Sequence, residues 1–124
     1  MQSMQMITVT DDYKPLAGSG HNTIRKFDGK YHGLMVGDSV IMHYTDDPQT
    51  TGPSSATELL TVTAVAIAPL DVLLKNHGKM NHDYSKYKTV AKLRNHIRGF
   101  YPVVTDANEN PVDDSGDLYM AIYF

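Results

Sequence analysis

Apolar positions recur with a period of two through most of the chain and with a helical period between residues 69 and 99. Period two sends alternate side chains to opposite faces of an extended segment, and a helical period gathers them on one stripe. Met4 to Thr10, with Met6, Ile7 and Val9, reads as a first strand. Ser39 to Thr45, entered through Gly37-Asp38, reads as the clearest strand of the first half. Thr57 to Ala68 alternates threonine with apolar residues around Leu60, Val62 and Val65 and reads as one long strand. With Ser39–Thr45 it predicts an antiparallel hairpin across the loop Asp46–Ala56, which carries Pro48, Gly52 and Pro53.

Pro69 suits a helix start, because its missing N–H is not needed there. Leu70, Leu73 and Leu74 share a face, and Gly78 is placed to close this helix in a left-handed cap. A second helix is predicted from Asp83 or Ser85, either of which can cap it, to Gly99. Tyr84, Tyr87, Val90, Ala91, Leu93 and Ile97 form its apolar stripe. Phe100 to Val104 turns extended, and a polar loop follows from Thr105 to Gly116. The final run, Leu118 to Phe124, is apolar almost throughout, so both faces of that strand are expected to be covered. The order predicts an α+β fold, a mostly antiparallel sheet with two helices packed on it. At 124 residues, without internal repeats, residues 1–124 form one domain.

Composition removes several function classes. The chain has no cysteine, which excludes disulfides and thiolate zinc sites. No stretch approaches the roughly 20 apolar residues that span a bilayer. Met1 to Thr10 lacks the basic start and apolar run of a secretory signal, so a cytoplasmic location without membrane contact is expected. None of the six histidines forms an HxH or HxxxH pair on one element, and His77 and His82 are separated by a predicted break. No metal site is expected, and no cofactor is called for.

Charge adds a candidate surface. The formal net charge is -3, yet seven of the eleven basic residues fall between Lys75 and Arg98, opposed there only by Asp83. Such a surface attracts phosphate through its own field whatever the net charge. Lys86, Lys88, Lys92, Arg94 and Arg98 are the phosphate-binding candidates; the alternative is a solvated helix face.

Leu16-Ala17-Gly18, then Thr23-Ile24-Arg25, then Val36-Gly37-Asp38-Ser39-Val40, resemble the signature of the ASCH domain. The resemblance covers nearly the whole chain except the Asp46–Ala56 and Thr105–Gly116 loops. It implies a small PUA-like β-barrel, and the order of elements is similar to the bacterial N(4)-acetylcytidine amidohydrolase branch. That branch is described as using a threonine nucleophile, a lysine that activates it and a glutamate that handles protons. Thr23 matches the threonine. Gly20 stands where the lysine is expected, and no glutamate lies between the helices, where Asp83 is the nearest carboxylate. Lys14 or Lys26 can replace the lysine by swinging in, and His21 can serve as the base, a role for which histidine is well suited.

Thr23 is therefore read as nucleophile or, alternatively, as a packed strand residue. Arg25 falls on the same side of the strand, ready to hold a phosphate or base edge, or else to pair with Asp38. Gly20, Asn22, Arg25, Tyr31, Gly37 and Asp38 make up the expected ligand-binding set, with Tyr31 stacking on a base and Asp38 also a natural turn former. Three function classes follow. The first is a binding module for RNA, DNA or a nucleoside. The second is an amidohydrolase acting on N(4)-acetylcytidine or a related small amide. The third is a non-catalytic domain that binds a protein partner.

Overall fold

In the computed structural model, residues 5–10, 18–27, 33–45, 56–101, 105–111 and 116–124 are described. Six strands, β1 (Gln5–Thr10), β2 (Asn22–Lys26), β3 (Ser39–Thr45), β4 (Ala56–Thr61), β5 (Ala64–Pro69) and β6 (Leu118–Tyr123), form two three-stranded sheets. Three helices, α1 (Leu70–His77), α2 (Tyr84–Tyr87) and α3 (Val90–Arg98), lie between β5 and β6 in sequence. The first sheet has the order β1-β3-β4, with β1 parallel to β3 and β3 antiparallel to β4. The second has the order β2-β6-β5 and is antiparallel throughout. The class is α+β, as the pattern predicts. Among the described residues no helix is long and apolar enough to cross a membrane.

The long Thr-rich segment is two strands. Gly37 donates to the carbonyl of Val62, and Val62 donates to the carbonyl of Asp38, which ends the pairing of β4 with β3. Thr63 then donates to Tyr123, and the chain continues as β5 in the other sheet. One run of alternating residues thus serves both sheets. The two sheets are joined along this edge, and no ladder joins β1 to β2 along the other, so a closed barrel is not found among the described residues.

Sheet β2-β6-β5 is the middle layer. Met120, Ile122 and Phe124 pack with Ile7, Val9, Val40, Met42 and Tyr44 of the first sheet. Tyr119 and Ala121, of opposite parity on β6, pack with Ile24 and with Leu70, Leu73, Leu74, Leu93 and Ile97 of the helices. Alternate side chains of β6 therefore enter two different cores, which is why the last strand needs no polar face.

The helical layer departs from the expected pair. Gly78 is right-handed (φ -60°) and begins a 3-10 turn, Gly78–Met80, rather than capping α1 in the left-handed region. The second predicted helix is broken at Lys88, which is left-handed (φ 67°), and Thr89 then caps α3 by accepting from the Lys92 N–H. Asp83 precedes α2 but makes no side-chain cap. Its carboxylate is engaged elsewhere.

Candidate active site

A pocket of about 110 Å³ lies at the unpaired seam between β1 and β2. Thr8 and Val9 form one wall, and Thr23, Ile24 and Arg25 another. The remaining sides come from Asn81, His82, Asp83 and Lys86, and from His96, Ile97, Phe100 and Tyr101. Arg25 spans the seam, donating from Nη2 to the Thr8 carbonyl at 2.6 Å. An arginine side chain thus bridges the two sheets where a backbone ladder is absent.

The segment 81–83 is fastened to β2 by buried amides. Asn22 donates to the His77 carbonyl at 3.0 Å and accepts from Asn81 Nδ2 at 3.2 Å. The His82 N–H donates to the Asn22 carbonyl, and the Asp83 N–H donates to Asn81 Oδ1 at 2.9 Å. These bonds present His82 to Thr23, its neighbour in space from the adjoining residue of β2.

A chain of polar contacts follows. Thr23 Oγ1 lies 3.4 Å from His82 Nε2 and 3.3 Å from Arg25 Nε. His82 Nδ1 lies 3.4 Å from Asp83 Oδ1, and Asp83 Oδ2 lies 3.3 Å from His96 Nε2. His96 Nδ1 is 2.8 Å from the Tyr87 hydroxyl, and the two rings stack at 4.5 Å. Burial raises the Asp83 carboxyl, but the hydrogen bond and charge of His82, with the charges of His96 and Lys86, outweigh it and hold the group below the usual 3.8. Burial lowers His96, and its attraction to Asp83 does not cancel that shift. Asp83 is thus an acceptor at neutral pH for protons on His82 Nδ1 and His96 Nε2, at charge-contact distances longer than an aligned hydrogen bond. His82 Nε2 is left to accept from Thr23, whose oxygen accepts in turn from Arg25. Every contact points the same way.

The structure unites Thr23, Arg25 and Lys86 in the pocket and separates the other expected residues from it. Asn22 is wholly buried and supports the site without lining it. His21, the expected base, is not in the wall; its Nδ1 lies 2.9 Å from Ser19 Oγ. Gly20 is exposed, and its N–H donates to the Phe124 carbonyl. Gly37 and Asp38 belong to the turn before β3, where Asp38 Oδ2 accepts from the Met35 N–H at 2.9 Å. The turn-forming role of Asp38 holds, and its ion pair with Arg25 does not form, because Arg25 is committed to Thr8 and Thr23. Lys26 pairs with Asp117 at 3.3 Å and does not approach Thr23 as a base. Tyr31 and Lys14 lie outside the described residues.

The basic residues form no single face. Arg94 is bonded to Asp71 at 2.7 Å, Lys88 occupies the helix break, and Lys92 lies about 200° around α3 from Arg94. Arg98 is in the last turn. Among the described residues no group of three or more metal-ligating side chains is found. His82 and His96 are not among the site residues that the sequence pattern predicts. The adjacent His82-Asp83 pair was the available signal, but its proximity to Thr23 depends on the Asn22–Asn81 contact, which no local spacing reveals.

Comparison of the chain with family models, curated proteins and solved structures finds no match.

Proposed function

We propose that the protein is a hydrolase of small acylated compounds in which Thr23 is the nucleophile and His82 its base. The observation that carries this reading is the position of Thr23 Oγ1 between Arg25 Nε and His82 Nε2, with Asp83 behind the histidine. A threonine hydroxyl attacks a carbonyl only when a neighbouring base takes its proton, and base contacts are commonly loose before substrate binds. Thr23 Oγ bonds to the carbonyl carbon as its proton passes to His82 Nε2. His82 then returns the proton to the leaving amine as the C–N bond breaks. Water, deprotonated by the same histidine, bonds to the acyl carbon, and His82 returns that proton to Thr23 Oγ as the ester C–O bond breaks and the acid leaves. Asp83 stabilises the transient imidazolium, and Arg25, already bonded to Thr23, supplies positive charge near the developing oxyanion.

The resemblance to ASCH domains supplies the substrate class, an N-acylated nucleobase such as N(4)-acetylcytidine. Ile24, Ile97, Phe100 and Tyr101 offer apolar surface for a planar ring. The resemblance also supports a PUA-like barrel as the finer description of the fold, with the consecutive strands β4 and β5 linking its two halves. The pairing of His82 with Thr23 takes the place of the lysine that Gly20 lacks. Hydrolysis of N(4)-acetylcytidine by wild type and Thr23→Ala, followed by chromatography, tests the reading. Turnover by wild type alone is the expected result, and turnover by both removes Thr23 from the reaction.

A second reading, recognition of a base in RNA, DNA or a nucleoside without turnover, is favoured by the half-exposed Phe100 and by Tyr101 beside Arg25 and Lys86. Stacking with phosphate contacts predicts affinity that falls steeply with salt. Titration of a labelled oligonucleotide at two ionic strengths tests it, and salt-independent affinity counts against it.

A further inference from the structure

Two basic residues, Arg25 and Lys86, line the pocket, and among the described residues neither forms an ion pair, although the charge of Lys86 is felt by Asp83. Asp83 is the acidic residue of the wall, and each of its oxygens faces a histidine. Arg25 gives Nε to a hydroxyl and Nη2 to a carbonyl, both uncharged acceptors. Lys86 makes no ion pair among the described residues, and its ammonium stands 5.8 Å from the centre of the Tyr87 ring. Two other basic side chains are paired, Lys26 with Asp117 and Arg94 with Asp71. Two positive charges against one carboxylate leave the wall net positive. Val9, Ile24 and Ile97 give the same wall an apolar lining beside the half-buried Arg25, while the exposed Lys86 acts through solvent and is sensitive to salt.

We infer that the compound bound here carries an anionic group, a carboxylate or a phosphate, which pairs with Lys86 while its acyl carbon lies against Thr23. The placement of the acyl carbon rests on the hydrolase reading; the anion site rests on the charges of the wall. Lys86 is then the residue that sets specificity, at the mouth of a pocket whose chemistry lies deeper. The anion has two sources. A carboxylate belongs to the acyl half, as in a dicarboxylic acid joined through one end, and a phosphate belongs to the leaving half.

Three probes separate these sources: N(4)-acetylcytidine, which is neutral, its 5′-monophosphate, and N(4)-succinylcytidine. Calorimetric titration of Thr23→Ala with each measures binding without turnover, and wild type is assayed on each by chromatography. One of the two anions is expected to bind about tenfold or more tightly than the neutral compound. That preference is expected to collapse when Lys86→Met is added and to weaken in added potassium chloride. Lys86 is exposed, so its replacement removes no core contact. Equal affinity for all three probes overturns the inference, and hydrolysis by wild type in that case leaves the hydrolase reading standing. An anion preference without hydrolysis supports the anion site and overturns the hydrolase reading. A preference that survives Lys86→Met overturns the assignment to Lys86, and binding of none of the probes overturns the inference.

Discussion

Asn81 donates from Nδ2 to Oδ1 of Asn22 across a sequence separation of 59 residues, and both side chains are buried. This contact, with the bond from the His82 N–H to the Asn22 carbonyl, fixes the segment that carries His82 and Asp83 against the strand that carries Thr23. The candidate site exists because two asparagines meet.

Replacement of Asn22 tests that dependence. Asn22→Ala removes the acceptor of Asn81, which remains buried, and the donor to the part-buried His77 carbonyl. An unsatisfied buried polar group costs about 1–3 kcal/mol, so the variant is expected to melt several degrees below wild type. Thermal denaturation followed by circular dichroism reads the change. An unaltered midpoint would show that the asparagine pair does not hold the segment.

Asp83→Asn is expected to disable the site more than it disturbs the fold. The amide keeps one acceptor oxygen and turns an NH₂ group toward one of the two histidines. The preferred tautomer of His82 is lost, and in triads of this kind that costs about 10⁴-fold in kcat. Thr23 and His82 act as one unit in this scheme, so Thr23→Ala combined with His82→Ala is expected to be no slower than either alone. Additive losses would mean that the two residues contribute separately.

Stability is expected to decline as pH falls, in two stages. His96 is held below the ordinary 6.5, so just below that pH the unfolded chain takes a proton that the folded chain refuses. The stabilising contribution of neutral His96 is therefore present above 6.5 and is lost as pH falls toward its lowered folded value. Asp83 is held below 3.8, and its contribution is present above that value and is lost as pH falls through the folded one. His96→Gln is expected to flatten the upper stage and leave the decline below 3.8 in place. Unfolding midpoints measured across pH for wild type and His96→Gln decide this, and identical slopes above 3.8 would contradict it.

What was legible in the sequence was period and parity. The alternation in Ser39–Thr45 and the two-sided apolar run Leu118–Phe124 place their residues correctly, because burial of alternate faces is a local signal. Thr23 and Arg25, two apart on β2, meet in one pocket for the same reason. The division of 57–68 into two strands was not legible, since it depends on Val62 and Thr63 bonding to Asp38 and Tyr123, remote in sequence. His96 reaches Asp83 only because the helix breaks at Lys88 and redirects α3. A continuous helical period conceals such a break.

The same break yields a prediction in which one glycine and one lysine exchange their expected roles. Read as a left-handed cap, Gly78 could not become alanine without strain of about 1 kcal/mol. In the structure its φ is -60°, and an added Cβ meets Leu74 Cδ2 and Val90 Cγ2 at 3.5 Å, an ordinary contact. Gly78→Ala is therefore expected to stabilise the fold by about 0.4–1 kcal/mol, chiefly by reducing the freedom of the unfolded chain. Lys88, by contrast, holds a φ of 67° that costs a non-glycine residue about 1 kcal/mol or more. Lys88→Gly relieves that cost and loses part of the gain to the greater freedom of the unfolded glycine, so a smaller stabilisation is expected. Urea unfolding reads both as upward shifts of the midpoint at constant slope. A downward shift for Gly78→Ala would restore glycine 78 to the left-handed cap and return α1 to the boundary that its sequence suggests.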